Sequence, residues 1–154
     1  MIKVQREDFD YGKEVAKLSR NNPKVGGICA FTGLVRDMAG EDRIKNMTLE
    51  HYSGMTEREL AQIEAEAHRR WLLEDTLIIH RYGELKPSDQ IVLVAASSAH
   101  RDTAFDACRF LIDWLKTKAP FWKLENLGHD ARWVKSKETD SCAHDRWLDN
   151  EEKN

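Results

Sequence analysis

Apolar and polar positions follow two different periods along this chain, and its elements begin and end where one period gives way to the other. Residues 8–20, DFDYGKEVAKLSR, predict a short amphipathic helix with Asp8 or Asp10 as its N-cap. Asn21-Asn22-Pro23 breaks it. The segment VGGICAFTGLVR (25–36) is rich in β-branched and aromatic side chains and predicts a largely buried strand punctuated by glycines. MAGEDR then reads as a loop. In NMTLEHY (46–52), strict alternation sets Met47, Leu49 and His51 on one strand face and Thr48, Glu50 and Tyr52 on the other.

The clearest helical signal is GMTERELAQIEAEAHRRW (54–71), where Leu60, Ile63, Ala67 and Trp71 recur as one buried stripe. Thr56 with Glu59 has the form of a capping box, flanked by Met55 and Leu60 at staple positions. Two apolar runs follow, TLIIHRYGEL (76–85) and QIVLVAAS (90–97), separated by the turn residues Lys86-Pro87-Ser88-Asp89. They predict adjacent antiparallel strands. A last helix begins between Ser98 and Asp102 and stops before Pro120, which cannot continue it. Its predicted buried arc holds Ala104, Phe105, Cys108, Leu111, Ile112, Leu115 and Ala119, with Lys116 and Lys118 on the two borders. Helices and hairpins interleave without βαβ repetition, so the expected fold class is α+β. Residues 1–137 are expected to form a single domain, and 138–154 a polar, loosely held tail anchored at Trp147.

Composition narrows the function classes. A chain of 154 residues suits one domain with one core. Although 33% of residues are charged, the formal charge is -3, without the basic excess of a general nucleic-acid or membrane-surface binder. No apolar run is long enough to span a bilayer. The opening MIKVQREDFDYGKE lacks the apolar core of a secretory signal, so a cytoplasmic location is expected. Cys29, Cys108 and Cys142 are odd in number and widely spaced, which fits a reducing compartment rather than a disulfide framework. There is no CxxC or HExxH pattern, and the Cys142-x-His144 pair alone does not make a metal site, so no metal is expected.

Candidate chemistry enters with DWLKTKAPFWKLE (113–125), where lysines sit inside the most aromatic stretch of the chain. Upstream, in SSAHRD (97–102), a strand feeds a helix, and free backbone N–H groups there favour an anion. His100 and Arg101 in that first turn oppose the helix dipole unless an anion answers both; a plain helix start with Arg101 in solvent is the alternative. Lys116 lies about four turns further along the same helix. Lys123 follows the Pro120 corner, which can turn its ammonium back toward Lys116. Two amines close together among aromatics are harder to protonate and suit proton transfer or nucleophilic work. Lysine stems also snorkel along apolar borders, which needs no function. Arg36 ends FTGLVR, where Gly33 allows close backbone approach. His51 and His80, in apolar contexts, read as core or interface histidines, while Trp122 and Trp133 could offer a flat face to a ring. Together these residues predict an anion pocket built from Arg36, His100, Arg101, Lys116 and Lys123.

FTGLVRD, LEHYSGMTE, HRYGELKPSDQIVLVAASSAHRDTAF and LKTKAPFWK occur in this order, at similar gaps, between about residues 25 and 137. They closely resemble the family of large, catalytic subunits of molybdopterin synthase. The resemblance implies an α/β hammerhead fold and a homodimer. Each protomer would dock one small ubiquitin-like subunit carrying sulfur as a thiocarboxylate on its C-terminal glycine, giving a heterotetramer. It implies a sulfurtransferase that converts cyclic pyranopterin monophosphate into molybdopterin by installing two dithiolene sulfurs, with no cofactor of its own. Matched residue by residue, Lys116 would lie beside the thiocarboxylate and assist sulfur transfer, and Lys123 would bind substrate or move protons. Leu34, Val35 and Arg36 match the substrate-contacting strand end, and His100 with Arg101 the phosphate-side pair. Leu124 and Glu125 continue the substrate-binding run, although Leu124 stands where the family often carries a base, which leaves it a backbone contact. Arg132 and Lys137 are further candidates for a neighbouring protomer's pocket. A non-catalytic module binding a ubiquitin-like or phosphate-bearing partner through the aromatic groove is the alternative from another class.

Overall fold

The run QIVLVAAS shows no polar alternation because its strand is covered on both faces. The computed structural model describes residues 1–134 and 145–148. In chain order its elements are β1 (Ile2–Gln5), α1 (Tyr11–Ala16), β2 (Gly27–Leu34), β3 (Met38–Ala39), β4 (Asp42–Arg43), β5 (Asn46–His51), α2 (Met55–Arg70), β6 (Asp75–Arg81), β7 (Gly83–Leu85), β8 (Gln90–Ser98), α3 (Arg101–Lys118), β9 (Phe121–Asn126) and β10 (Ala131–Trp133). One sheet has the order β1-β6-β8-β2, parallel between β1 and β6 and antiparallel elsewhere. On one face of it, Ile78, Val94 and Ala96 join Leu60, Ile63 and Ala67 of α2 and Ala107, Phe110, Leu111 and Leu115 of α3. On the other, Leu77, Ile79, Leu93 and Ala95 join Phe9 and Leu18, which flank α1. Burial on both faces is what a near-continuous apolar strand requires.

A second antiparallel sheet, β10-β9-β5-β7, stands beside the first. The two are joined by the segment expected to be one strand, TLIIHRYGEL. It splits at Tyr82: β6 pairs with β8 as expected, whereas β7 leaves to pair with β5. Gly83, at φ +90°, supplies the left-handed backbone this change of sheet needs. The α+β class holds.

Other expectations change in detail. The strand at 25–36 is an edge strand rather than a buried one, with Phe31 and Leu34 41% and 50% exposed. MAGEDR is a tight hairpin of β3 and β4 around Gly40. At α2 the cap falls two residues earlier than Thr56-x-x-Glu59: Gly54 is the N-cap and its N–H donates to Glu57 Oε2 at 2.7 Å. Thr56 is instead buried and its Oγ1 accepts from the Tyr52 N–H, while Met55 is exposed and makes no staple. On α3 the buried arc is rotated: Ala107 and Phe110 are inside and Phe105 is 60% exposed. Asp10 caps α1, accepting from the Lys13 N–H.

Trp147 is anchored as expected. It packs edge-on against Trp71 and Phe110, its Nε1 donates to Asp113, and its carbonyl accepts from Arg70. Apart from residues 145–148, the expected tail, with Cys142 and His144, lies outside the described residues, as does Lys137. Among the described residues no helix is long and apolar enough to cross a membrane.

Candidate active site

Residues after Pro120 do more than turn the chain. They form β9, whose alternation sorts the candidate residues onto two faces. Its register with β5 sets Phe121 opposite His51, Lys123 opposite Leu49 and Glu125 opposite Met47. Opposed residues of an antiparallel pair share a face, and Met47 and Leu49 are buried, so Phe121, Lys123 and Glu125 face inward. Trp122 and Leu124 therefore face outward, and Leu124 pairs with Trp133 of β10. Trp122 and Trp133, 47% and 55% exposed, make this outer face an aromatic patch. Leu124 thus lies on the opposite face from Lys123. Glu125 is buried and paired with Arg132, Nε to Oε2 3.3 Å, and Arg132 also donates to the Ala39 carbonyl. Both are engaged within their own protomer.

Arg36 is positioned by the turn between β7 and β8. The Val35 N–H donates to the Asp89 carbonyl and the Ser88 N–H donates to the Val35 carbonyl, clamping the end of β2 to that turn. Leu34, Val35 and Arg36, with Asp37, Met38, Pro87 and Ser88, line a surface hollow of about 600 Å³. Pro87 and Ser88 come from the turn predicted on other grounds; no sequence signal tied them to Arg36.

The five cations fall into two groups. Arg101 lies at the start of β2, where a Cβ on Gly27 would sit 3.6 Å from the Arg101 Cα, whereas Arg36 lies just past the end of that strand. The strand separates them by about 23 Å at 3.3 Å per residue. Along α3, Arg101 and Lys116 are about 22 Å apart at 1.5 Å per residue. Since α3 packs along β2 and β8, its final turn with Lys116 lies toward the Arg36 end. Lys123 comes soon after, beyond the Pro120 corner. The structure thus groups Arg36, Lys116 and Lys123 toward one end and leaves His100 and Arg101 at the other, so one protomer does not gather all five.

Ion pairs occupy several of the other surface cations. Lys3 and Lys17 meet Glu14, Arg69 and Arg70 meet Glu66, and Arg81 meets Asp8. Arg36 and Lys116 have no ion pair among the described residues. Arg101, 86% exposed, has only its chain neighbour Asp102 at 3.6 Å. Cations left without acids are what an anion site needs.

Beside Lys123 lies an aromatic cluster. His80 stacks on Phe121, centroids 3.6 Å apart and 14° from parallel, and His51 packs 4.4 Å from Tyr82. Burial pushes the His80 imidazole down to about 3; the neighbouring Lys123 and His51 push the same way, against the bond to the Arg81 carbonyl. The core placement expected for His80 holds. Of the thiols, Cys108 is buried in the core, and burial followed by the neighbouring Cys29 raises it far above the usual thiol range. It is a poor nucleophile.

Such a scaffold suits an enzyme subunit that binds an anionic substrate and draws its nucleophile from outside. The chain belongs to the MoaE protein family, which matches residues 4–118. The molybdopterin synthase catalytic subunit of Ralstonia nicotianae is 51% identical over 146 residues, covering 95% of this chain and 83% of that one. The molybdopterin biosynthesis MoaE protein from Burkholderia ambifaria superposes with a TM-score of 0.82 at 49% identity, over 96% of this chain and 97% of that one. Molybdopterin synthase from Staphylococcus aureus gives 0.81 at 32% identity, over 86% and 96%. The family match ends at Lys118, but the relatives' coverage extends into β9 and so includes Lys123.

Proposed function

We propose that this chain is the large, catalytic component of a molybdopterin synthase. It is a sulfurtransferase that moves sulfur from a thiocarboxylated small ubiquitin-like carrier onto cyclic pyranopterin monophosphate. The observation that carries this reading is the grouping of Arg36, Lys116 and Lys123 toward one end of a molecule whose Cys108 is inert. In this reading sulfur arrives on another molecule, and the chain's task is to bind, orient and stabilise charge. The carrier's thiocarboxylate sulfur forms a C–S bond to a side-chain carbon of the pterin as the C–O bond at that carbon breaks, the oxygen leaving on the phosphate in one round and as water in the other. Water then cleaves the acyl–sulfur bond, leaving sulfur on the pterin and a carboxylate on the carrier. Two rounds give the dithiolene, and no resident cofactor takes part. Lys116 stabilises the negative charge that develops on the acyl oxygen as water adds; Lys123, on the inner face of β9, holds the substrate and relays protons. A charge-assisted hydrogen bond to the substrate phosphate contributes about 1.5–3 kcal/mol. The exposed Trp122, Leu124 and Trp133 face offers the carrier an apolar seat, and the free thiols Cys29 and Cys108 suit a reducing cytoplasm.

The separation of His100 and Arg101 from the other cations supports a homodimer. A two-fold axis lets one protomer's α3 start meet its partner's α3 end, so each site draws cations from both. The exposed edge strand β2, with Phe31 and Leu34, is the apolar surface available for such an interface.

Lys116→Ala and Lys123→Ala chains should keep their fold and carrier binding, while dithiolene product falls by about a hundred- to a thousandfold, as on loss of a charge-stabilising group. Wild-type turnover in both would overturn the reading. Carrier binding without product from the unmodified chain would favour the non-catalytic module. Mixing Lys116→Ala with Arg101→Ala chains should restore about a quarter of wild-type activity if sites are shared between protomers, since one site in each mixed dimer is intact.

A further inference from the structure

The imidazole of His80 is buried and held from two sides, yet sulfur transfer as described gives it no task. Phe121 covers its face, and its Nδ1 lies 2.8 Å from the Arg81 carbonyl oxygen. A carbonyl only accepts, so Nδ1 carries the proton and Nε2 keeps a lone pair. A buried lone pair calls for a donor. The groups that face this ring are Lys123 and Phe121 from β9 and His51 from β5, with Tyr82 and Arg81 next to it on its own chain segment; Arg6 covers the far side of Tyr82. Among them the cationic amine is Lys123, two residues beyond the stacked Phe121 and on the same inward face.

We propose that His80 is a positioning residue for Lys123: the ring clamped between Phe121 and the Arg81 carbonyl presents Nε2 as the acceptor that fixes the direction of the Lys123 amine. This rests on the role given to Lys123 above. The arrangement links the two sheets at the point of chemistry, because His80 belongs to β6 of the first and Lys123 to β9 of the second. An amine on a four-carbon stem has many rotamers, and a fixed acceptor selects one. A misplaced catalytic group costs about a hundredfold per ångström.

The test uses the full chain with its thiocarboxylated carrier and pterin substrate. His80→Phe keeps a ring against Phe121 and removes both nitrogens; His80→Gln keeps an acceptor. His80→Phe should lower kcat about ten- to a hundredfold with KM nearly unchanged, and should shift the alkaline limb of the rate profile, whereas His80→Gln recovers most of the rate. Wild-type kcat and pH profile in His80→Phe would overturn the proposal, as would equal losses in the two variants. If His80→Phe does not fold, Phe121→Leu removes the clamp and leaves the imidazole: the same kcat-selective loss supports the proposal and an unchanged kcat overturns it. Lys123→Ala, run alongside, separates the two ideas. Full activity there removes the role of Lys123 itself, while an inactive Lys123→Ala beside a fully active His80→Phe removes only the positioning by His80.

Discussion

Strands β6 and β8 of the first sheet, and β5 and β9 of the second, are paired antiparallel over six residue pairs each, yet they carry opposite loads. Thr76 to His80 and Ile91 to Ser98 are buried without a break, whereas along β9 only Glu125 is buried and Trp122 is open to solvent. In one pair both faces are closed by helices and flanking segments, and the strands are a fixed support. In the other, one face receives Lys123 and the other is left apolar and uncovered. The closed pair is the support and the open pair carries the candidate residue Lys123, with the β6–β7 break at Tyr82 joining the two sheets.

That difference should appear most strongly on truncating matched leucines. Leu93 of β8 is fully buried in the layer beneath α1, so Leu93→Ala should cost about 2–5 kcal/mol in urea unfolding, by lost transfer energy and a residual cavity. Leu124→Ala, on the outer face of β9, should cost far less while weakening carrier binding. Equal destabilisation by the two would remove the distinction between the sheets.

Acid titration sharpens the comparison at their junction. His80 falls from 6.5 in the unfolded chain to about 3 in the fold, first through burial. Between those values the unfolded chain binds a proton that the folded chain does not, so stability drops as pH falls below 6.5. At about 1.4 kcal/mol per pH unit, the loss should approach about 2 kcal/mol by about pH 5. Glu14, held low chiefly by Lys17, and Glu66, chiefly by Arg69, act in the same direction but only below their unfolded value of 4.5. Unfolding measured from pH 6.5 down to about pH 5 therefore isolates the histidine, and His80→Phe should flatten the slope there. An unchanged slope in that variant would assign the acid sensitivity to another group.

Much of the first sheet was legible because burial on both faces writes a plain code: QIVLVAAS and the stripe Leu60, Ile63, Ala67 admit few alternatives. The second sheet was harder to read. FWKLEN alternates with period two, but the Pro120 break and the lysines drew attention to a pocket floor, and the strand beneath it went unrecognised. The split at Tyr82 depends on Gly83 at positive φ, and a glycine inside an apolar run does not announce which sheet the chain will join. The candidate site residues were named by their resemblance to a family. Their division into two groups was not, because helix length alone says how far apart Arg101 and Lys116 lie but not which copy each one serves.

The smallest effect tests the hand-over from the second sheet to α2, where the sequence pattern and the structure place the cap differently. Three residues separate β5 from α2, and besides backbone bonds to the Tyr52 carbonyl the turn is held by two hydrogen bonds to side chains, from the Gly54 N–H to Glu57 and from the Tyr52 N–H to the buried Thr56 hydroxyl. Gly54 sits at φ +83°, a conformation in which Thr or Ser would be strained, so the cap falls to the carboxylate at the third helical residue acting without a hydroxyl partner. Glu57→Ala should therefore cost about 1 kcal/mol, one net hydrogen bond together with a favourable charge at the helix start. Glu59→Ala should be close to neutral, because Glu59 makes no hydrogen bond to a described residue. Thermal unfolding of the two variants decides between the frames. A loss at Glu59 with none at Glu57 would restore the Thr56 cap and move the start of α2 toward the first sheet.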